Sequence, residues 1–183
     1  MRRNRWALVL AAAVVAAGCG GEKHDESGTP AKKDAVAVAN IGSHDGSSVK
    51  GTATFTAKDG KVWLKVDLEG AAPGPHACHL HDKGDCSSAD AKSAGGHWNP
   101  LGKKHGKWGE GEFHLGDIGN VTVGQDGKGV LEFSTDLWTV GTGGQNDVVG
   151  KSVIVHEDVD DFKTDPTGNA GKRFGCGVIE LRK

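Results

Sequence analysis

The stretch ATFTAKDGKVWLKVDL, residues 53–68, indicates the fold class of this protein. Its second half has an apolar residue at every second position, with mostly polar residues between them and Trp63 among the latter. Because successive side chains of a strand point to opposite faces, this alternation predicts a β-strand with one buried face. The first half alternates as well, and Lys58-Asp59-Gly60 between the two halves is typical of a hairpin turn.

The same signals recur further along the chain. Asp126-Gly127 precedes a strand-like stretch at residues 130–133 in the same way. No segment keeps a helical period over a window of about 12 residues. With 30 glycines among 183 residues, the chain is suited to many turns between short strands, and the sequence predicts an all-β sandwich or barrel over residues 34–183. Further strand-like runs lie at residues 35–41, 148–155 and 174–181.

Residues 1–18 have the features of a secretory signal peptide. Three arginines precede an apolar run of 11 residues, which is shorter than the stretch of about 20 residues that spans a bilayer. Cys19 follows Ala-Gly, as in a bacterial lipobox, where the cysteine becomes the lipidated first residue. The alternative is ordinary signal cleavage beside an incidental cysteine. Residues 19–33 are then predicted to be the lipidated cysteine and a polar, flexible tether.

These features predict an exported lipoprotein, periplasmic or at the cell surface, that a lipid anchors to a membrane. The formal net charge of the chain is −2, and removal of residues 1–18 takes away three arginines and no acidic residue. The resulting acidic chain is not expected to bind nucleic acid. The sequence leaves the oligomeric state open, with a homodimer as one option.

Two long segments without a strand pattern, residues 84–120 and 157–171, are of the length that is usually either functional or disordered. His79 and His81 stand just before the first segment at i and i+2 of a strand-like stretch, so both imidazoles lie on one face and can reach one metal. Imidazole suits copper and zinc, and zinc also accepts a carboxylate. Seven candidate ligands could build two sites if one histidine is shared. They are His79, His81, His97, His105, His114, Asp117 and His156.

Five segments of the chain, taken in order, resemble the copper/zinc superoxide dismutases and cover essentially the whole folded part. The resemblance implies an eight-stranded Greek-key β-barrel, an immunoglobulin-like sandwich, with two long functional loops. The segments are GPHACHLH (74–81), SAGGHWNP (93–100), HLGDIGNV (114–121), VHEDVDD (155–161) and GNAGKRFGCGVI (168–179).

The resemblance also implies a role for individual residues. His97 would bridge one copper and one zinc per chain, and Asp160 would link a copper ligand to a zinc ligand. Arg173 would stand beside the open copper position, and Cys86 and Cys176 would form a disulfide. The implied copper ligands are His79, His81, His97 and His156, and the implied zinc ligands are His97, His105, His114 and Asp117.

The implied activity is the disproportionation of superoxide to dioxygen and hydrogen peroxide, with copper as the redox metal and with His97 and Arg173 as catalytic residues. The alternative from another class is a lipoprotein that stores or delivers copper and zinc on the same fold. Arg173 and Asp160 argue against it, because storage needs neither a guide for anions nor a bridged redox site. Cys78, between two implied copper ligands, is predicted to point to the opposite face of its strand, into the core.

Overall fold

The structure is a computed structural model that describes residues 34–183. The predicted signal peptide (1–18) and the predicted lipidated Cys19 with its tether (19–33) lie outside the described residues. A short 3-10 helix, Lys92–Ala94, lies between the fourth and fifth strands. The strands are β1 (Ala35–Ser43), β2 (Lys50–Lys58), β3 (Lys61–Glu69), β4 (Gly74–His81), β5 (Asn120–Val123), β6 (Lys128–Thr135), β7 (Ser152–His156) and β8 (Arg173–Leu181).

All eight strands pair antiparallel and close into one barrel in the order β1-β2-β3-β6-β5-β4-β7-β8. β6 follows β3 around the barrel, and β4 lies beside β7, so two connections cross the ends of the barrel as in Greek-key folds. The predicted all-β, eight-stranded barrel is therefore confirmed. Among residues 34–183, no helix has the length and apolar character needed to cross a membrane.

The hairpin predicted at residues 53–68 is formed by β2 and β3, which pair from Lys58 opposite Lys61 onward. Asp59 and Gly60 in its turn have φ angles of 52° and 76°, and two such residues match the right-handed twist of the flanking strands. The alternate apolar residues of β3 are buried in the core, whereas Trp63 on the other face is 53% exposed.

Two strand predictions differ from the structure. The run at residues 148–155 becomes a strand only from Ser152, because a turn precedes it in which Lys151 N–H donates to the Val148 carbonyl and Gly150 has a φ of 81°. β5 was not predicted and lies where the first long loop was expected to end. Four residues are too few to show an alternation of their own, and this strand depends on pairing with β4 and β6.

Candidate metal centre

β4 carries two of the candidate ligands on the outer face of the barrel. His79 and His81 lie on this face and are buried at 0% and 1% exposure beneath the loops that cover it. Cys78 and Leu80 alternate with them and belong to the barrel core, as predicted. Burial raises the pKa of the Cys78 thiol to about 12, so Cys78 is a small apolar core residue rather than a thiolate ligand.

The neighbouring strands add His156 and Arg173 to the same face. β7 pairs with β4 so that His79 lies opposite Ile154, and His156 is the last residue of β7. A register shift between Val155 and His156 places His156 opposite Arg173, the first residue of β8. Irregularities of this kind re-aim side chains at functional sites, and here the centroid of the His156 ring lies 5.0 Å from that of His79 and 5.6 Å from that of His81.

The loop after β4 returns to the barrel and brings His97 alongside β4. His97 forms an isolated β-bridge with His81, and Trp98 N–H donates to the Leu80 carbonyl at 2.8 Å. Gly116 N–H donates to the Trp98 carbonyl at 3.0 Å, so the loop is layered on the strand. A Cβ atom at Gly116 would lie 2.3 Å from the Leu80 carbonyl oxygen, which explains why this position is glycine.

Two groups of side chains result, and they share one residue. Within each group, one nitrogen or oxygen atom per residue lies within 4.8 Å of the others, which is close enough to surround one metal ion. His97 belongs to both groups. The first group is His79, His81, His97 and His156, and the second is His97, His105, His114 and Asp117.

The second group has the geometry of a tetrahedral site. Asp117 Oδ1 lies 2.8 Å from His97 Nδ1 and 3.1 Å from Nδ1 of both His105 and His114. The His97 and His114 Nδ1 atoms are 3.4 Å apart. Tetrahedral zinc with bonds of about 2.0–2.2 Å separates its ligand atoms by roughly 3.3–3.6 Å, so this cluster is only slightly tighter than a zinc site.

Hydrogen bonds to the far side of three rings leave lone pairs aimed into the two groups. His79 Nε2 donates to Asp160 Oδ2 and His105 Nε2 donates to Asp160 Oδ1, both at 2.9 Å, and His81 Nδ1 donates to the Gly95 carbonyl at 2.9 Å. A neutral ring that donates from one nitrogen accepts or binds metal at the other. Those other nitrogens of His79 and His81, Nδ1 and Nε2 respectively, are buried and have no hydrogen-bond partner, whereas His105 Nδ1 faces Asp117 Oδ1 at 3.1 Å.

Unsatisfied polar atoms at this density are rare in a protein interior, so the ligands fit bound cations. His97 Nε2 and both ring nitrogens of His156 are also buried without a partner. The all-imidazole group suits copper, and the group with a carboxylate suits zinc.

Asp160 connects the two groups by binding ring nitrogens that point away from the ligand atoms. Its two carboxylate oxygens accept from His79 in the first group and from His105 in the second. Asp160 itself is 2% exposed and is held by Phe162 N–H at 2.8 Å. Burial would raise the pKa of this carboxyl, but the hydrogen bonds from His105, His79 and Phe162 outweigh burial and lower it, so the group is ionised. A charged acceptor behind each ring fixes its tautomer and orientation.

Burial keeps three histidines of the first group, His81, His97 and His156, neutral. It is the main cause that holds the pKa values of His81 and His156 well below the ordinary value, and neighbouring imidazoles and Arg173 act in the same direction. Burial also lowers the pKa of His97 to about 4, although the hydrogen bond with Asp117 opposes this effect. Neutral imidazole is the form that binds a metal, so these rings are ready for it near neutral pH.

The second group favours positive charge. Burial would raise the pKa of Asp117, but hydrogen bonds with His105, His114 and His97 hold it far below the usual range. Burial alone would lower the pKa of His105, yet Asp117 and Asp160 outweigh burial and raise it to about 10. Two buried carboxylates beside three imidazoles thus strongly favour the binding of a cation at this group.

Arg173 stands at the edge of the first group. Its guanidinium is half-buried and donates to the carbonyls of Ala91 at 2.9 Å and Gly95 at 2.8 Å. Gly95 also accepts from His81, so Arg173 and a ligand of the first group share one backbone acceptor. Two of the five N–H donors of an arginine are used in this way, which fixes the plane of the group and leaves donors for an anion.

A disulfide joins the loop after β4 to the strand that carries Arg173. Cys86 and Cys176 are bonded, with their Cα atoms 5.8 Å apart and a sequence separation of 90. The predicted pair is therefore confirmed. Cys176 lies three residues after Arg173, so the bond holds the loop that contains Ala91 and Gly95 against the base of the arginine.

Comparison with known proteins identifies the family. A family model described as copper/zinc superoxide dismutase matches residues 49–179, which is more than half of the chain. The chain belongs to the copper/zinc superoxide dismutase family. It is 36% identical over 146 residues to "Superoxide dismutase [Cu-Zn] 5" of Dictyostelium discoideum, an alignment that covers 75% of this chain and 94% of that protein.

The fold is shared with solved structures as well. The crystal structure titled as the clock protein EA4 is similar with a TM-score of 0.73 and 34% identity, covering 82% of this chain and 97% of that one. Membership of the superoxide dismutases makes this chain an oxidoreductase that acts on superoxide with copper and zinc as cofactors. The alternative of a storage or delivery protein is not favoured.

Two further residues, Gly168 and His76, hold the centre of this superoxide dismutase in place. Gly168 has a φ of 63°, and a Cβ there would lie 2.1 Å from Asp160 Oδ1 and 2.6 Å from His105 Nε2. His76 uses both ring nitrogens, at 3.1 Å from the His156 carbonyl and 2.8 Å from the Ala72 carbonyl. The role of Gly168 has no sequence signal, because it depends on what the fold brings near, whereas the family resemblance implied that His76 is a structural histidine that hydrogen-bonds backbone near the site.

Proposed function

We propose that this superoxide dismutase binds copper in its first group and zinc in its second, and that His97 bridges them. One observation carries the assignment. His97 Nδ1 lies within 3.4 Å of ligand atoms of the second group, whereas its Nε2 is buried and without a partner on the side of the first group. The ring is thus oriented for both sites at once. The proposed copper ligands are His79, His81, His97 and His156, and the proposed zinc ligands are His97, His105, His114 and Asp117.

Bound copper would supply a one-electron redox couple, and bound zinc would supply a fixed positive charge that does not change oxidation state. Disproportionation turns two superoxide anions and two protons into dioxygen and hydrogen peroxide, so the protein has to handle protons as well as electrons. His97 Nε2 is the atom suited to hold a proton in one half of the cycle and to release it to the reduced product. Its environment opposes a charged ring, so the proton is readily given up.

Arg173 is proposed to bind the anionic substrate. Its guanidinium is oriented by the Ala91 and Gly95 carbonyls and lies opposite His156 in the sheet. Superoxide held against the remaining N–H groups would lie next to the first group of histidines. A positive charge in a partly buried site attracts an anion more strongly than one in open solvent, even on an acidic protein.

The protein is also proposed to be exported and held at a membrane by a lipid on Cys19, in the periplasm or at the cell surface. The disulfide Cys86–Cys176 supports an oxidising compartment. Replacing Cys19 by serine is expected to release the protein into the soluble fraction with unchanged dismutase activity. Continued membrane association of the Cys19→Ser protein would contradict the anchor. Whether the chain forms a homodimer is answered by sedimentation of the same released protein.

The proposed metal assignment is tested by loading the purified protein with copper and zinc and measuring metal content together with superoxide dismutation. One copper and one zinc per chain, with activity that disappears when copper alone is withheld, is the expected result. Full metal binding without dismutation would instead indicate storage or delivery. A His97→Ala variant is the matched test of the bridge and is expected to weaken both metals, whereas His105→Ala should weaken zinc more than copper.

A further inference from the structure

Three of the four tryptophans within residues 34–183 form one chain of contacts. The ring centroids of Trp98 and Trp138 are 6.4 Å apart, and those of Trp138 and Trp108 are 5.3 Å apart. Both separations fall in the range of about 4.5–7 Å in which aromatic rings touch. The sequence has no tyrosine and only 5% aromatic residues, so this grouping uses most of the aromatic side chains that are easily oxidised.

The inner end of this tryptophan chain is attached to the metal centre at two points. Trp98 directly follows His97, the ring shared by both groups of ligands. Trp138 Nε1–H donates to the Leu115 carbonyl at 3.0 Å, and Leu115 directly follows the ligand His114. Covalent bonds and hydrogen bonds transmit electrons better than gaps between unbonded atoms, so both attachments couple the tryptophans to the site.

The outer end reaches the surface. Trp98 and Trp138 are 1% and 2% exposed, whereas Trp108 is half-buried. Trp108 also packs against Phe113 and Phe133, with centroids 4.9 Å and 5.2 Å away, and this packing holds it in contact with Trp138. The chain therefore leads from beside the ligands to an indole that meets solvent.

The surroundings of each indole determine which of the three rings retains the electron deficit after oxidation. Electron tunnelling weakens exponentially with distance, so neighbouring rings in contact exchange an electron far more readily than distant ones. Trp138 has a carbonyl as the partner of its N–H, and a carbonyl is too weak a base to remove the proton from an oxidised indole. Oxidised Trp108 can lose its N–H proton to water. The electron deficit is therefore favoured at Trp108, the outer end of the tryptophan chain.

We propose that Trp98, Trp138 and Trp108 carry oxidising equivalents from the copper site to the surface and so protect the ligand histidines. The inference rests on the proposed function, because that function places copper at His97 and produces hydrogen peroxide there. Peroxide that meets reduced copper removes one electron more than copper can give. Without another donor, the nearest imidazoles are the groups that become oxidised.

Electrons and protons balance in this pathway. Reduction of hydrogen peroxide to two water molecules breaks the O–O bond and takes up two electrons and two protons. Reduced copper held by the first group would supply one of these electrons, and Trp98 gives the other. Trp138 returns an electron to Trp98, and Trp108 returns one to Trp138, so the deficit ends on Trp108 and its N–H proton passes to water. An external one-electron donor of the ascorbate or thiol class then restores Trp108.

The test compares Trp108→Phe with Trp63→Phe in the copper- and zinc-loaded protein. Trp63 is 53% exposed on the outer face of β3 and belongs to no aromatic pair of the described chain, so it controls for the loss of one indole. Metal content and dismutation are measured first. The proteins are then challenged with hydrogen peroxide, frozen for detection of radicals by electron paramagnetic resonance, and digested to locate oxidised residues by mass spectrometry.

An indole radical and oxidation products at Trp108 are expected in the parent protein and in Trp63→Phe, with late damage to ligands. In Trp108→Phe the ligand histidines should be oxidised several-fold faster, and ascorbate should protect them less. Trp108→Tyr, which restores an oxidisable ring, should recover protection. Equal sites and rates of oxidation in Trp108→Phe and Trp63→Phe would overturn the pathway. A fully metal-loaded parent without dismutation would contradict the proposed function, whereas an active parent that never oxidises Trp108 would contradict this inference alone.

Discussion

Asp160 shows how one residue can serve two metal sites without touching either metal. Its two oxygens hold His79 and His105 at 2.9 Å each, and its burial leaves these two rings as the main partners of its charge. A carboxylate in this position sets which nitrogen of each ring faces its metal. The proposed copper and zinc sites would therefore depend on each other through Asp160 as well as through His97.

Replacing Asp160 by asparagine is expected to weaken zinc binding by about 10- to 100-fold, the usual effect of losing such a partner of a ligand histidine. An amide offers one acceptor oxygen in place of two, so one ring loses its fixed orientation. Competition with a chelator measures the affinity. Glu157→Gln, which removes an exposed acid from the same loop, is the control and should bind zinc normally. Equal zinc affinities in both variants would contradict the role of Asp160.

Arg173→Gln is expected to lower kcat/KM for superoxide by roughly 10-fold or more, because a charge-assisted hydrogen bond contributes about 1.5–3 kcal/mol. Copper content should stay at one per chain, because Arg173 is not a ligand. Pulse radiolysis measures the rate, and metal analysis provides the control. Arg173→Lys keeps the charge but loses the two oriented donors, so its kcat/KM should lie between those of the parent and of Arg173→Gln. A parent-like rate in Arg173→Gln would remove Arg173 from the substrate site.

At the scale of single residues, the sequence predicted those whose side chains suit metal or anion binding. The histidines, Asp117, Asp160 and Arg173 belong to segments with a family resemblance, and the structure brings them together. It could not predict residues whose role is to leave room or to shape backbone. Gly168 matters because a side chain there would collide with Asp160 and His105, and only the folded chain shows that approach.

Among the elements, strands with one buried face were predictable, and strands that depend on neighbours were not. β3 has the alternation throughout, so its faces could be assigned from sequence alone. β5 has four residues and exists through its pairing with β4 and β6. The early start predicted for β7 was wrong because an apolar run does not reveal the turn at residues 148–151, which hydrogen bonds to Asp147 help to form.

Asp147 organises the connection between β6 and β7. It is 5% exposed and accepts from the backbone N–H groups of Gly143 at 2.6 Å and of Gly141 and Val149 at 3.0 Å. Burial would raise the pKa of Asp147, but these hydrogen bonds outweigh burial and lower it. The stability that the ionised group contributes is therefore present above the unfolded pKa of about 3.9 and is lost as the pH falls through the lower folded value.

Asp147→Asn is expected to lower the free energy of unfolding of the metal-free protein by about 1–3 kcal/mol at pH 7, because buried donors lose a charged acceptor. The difference from the parent should shrink as the pH falls below about 4, where Asp147 is protonated in the unfolded chain but still ionised in the folded one, and it should be lost once the pH passes the lower folded value. Urea unfolding at several pH values measures this. A difference that stays constant down to the lowest pH would show that Asp147 does not act through its charge.

In the whole molecule, the barrel and the loops have separate tasks. The barrel supplies a rigid face with His79, His81 and His156, and the loop after β4 supplies His97 and the zinc ligands. The disulfide Cys86–Cys176 and the hydrogen bonds of Asp160 join these parts. Family resemblance allowed the barrel and both ligand sets to be predicted together, but the tryptophan chain beneath them became visible only when the core was assembled.

His97 is proposed to belong to both metal sites. Cobalt(II) in place of zinc tests it directly, because a shared imidazole ring couples the unpaired electrons of copper(II) and cobalt(II). We expect the electron paramagnetic resonance signal of copper(II) to be lost when cobalt fills the zinc site and to return when zinc replaces cobalt. A copper(II) signal of undiminished intensity beside bound cobalt would show that the two ions do not share His97.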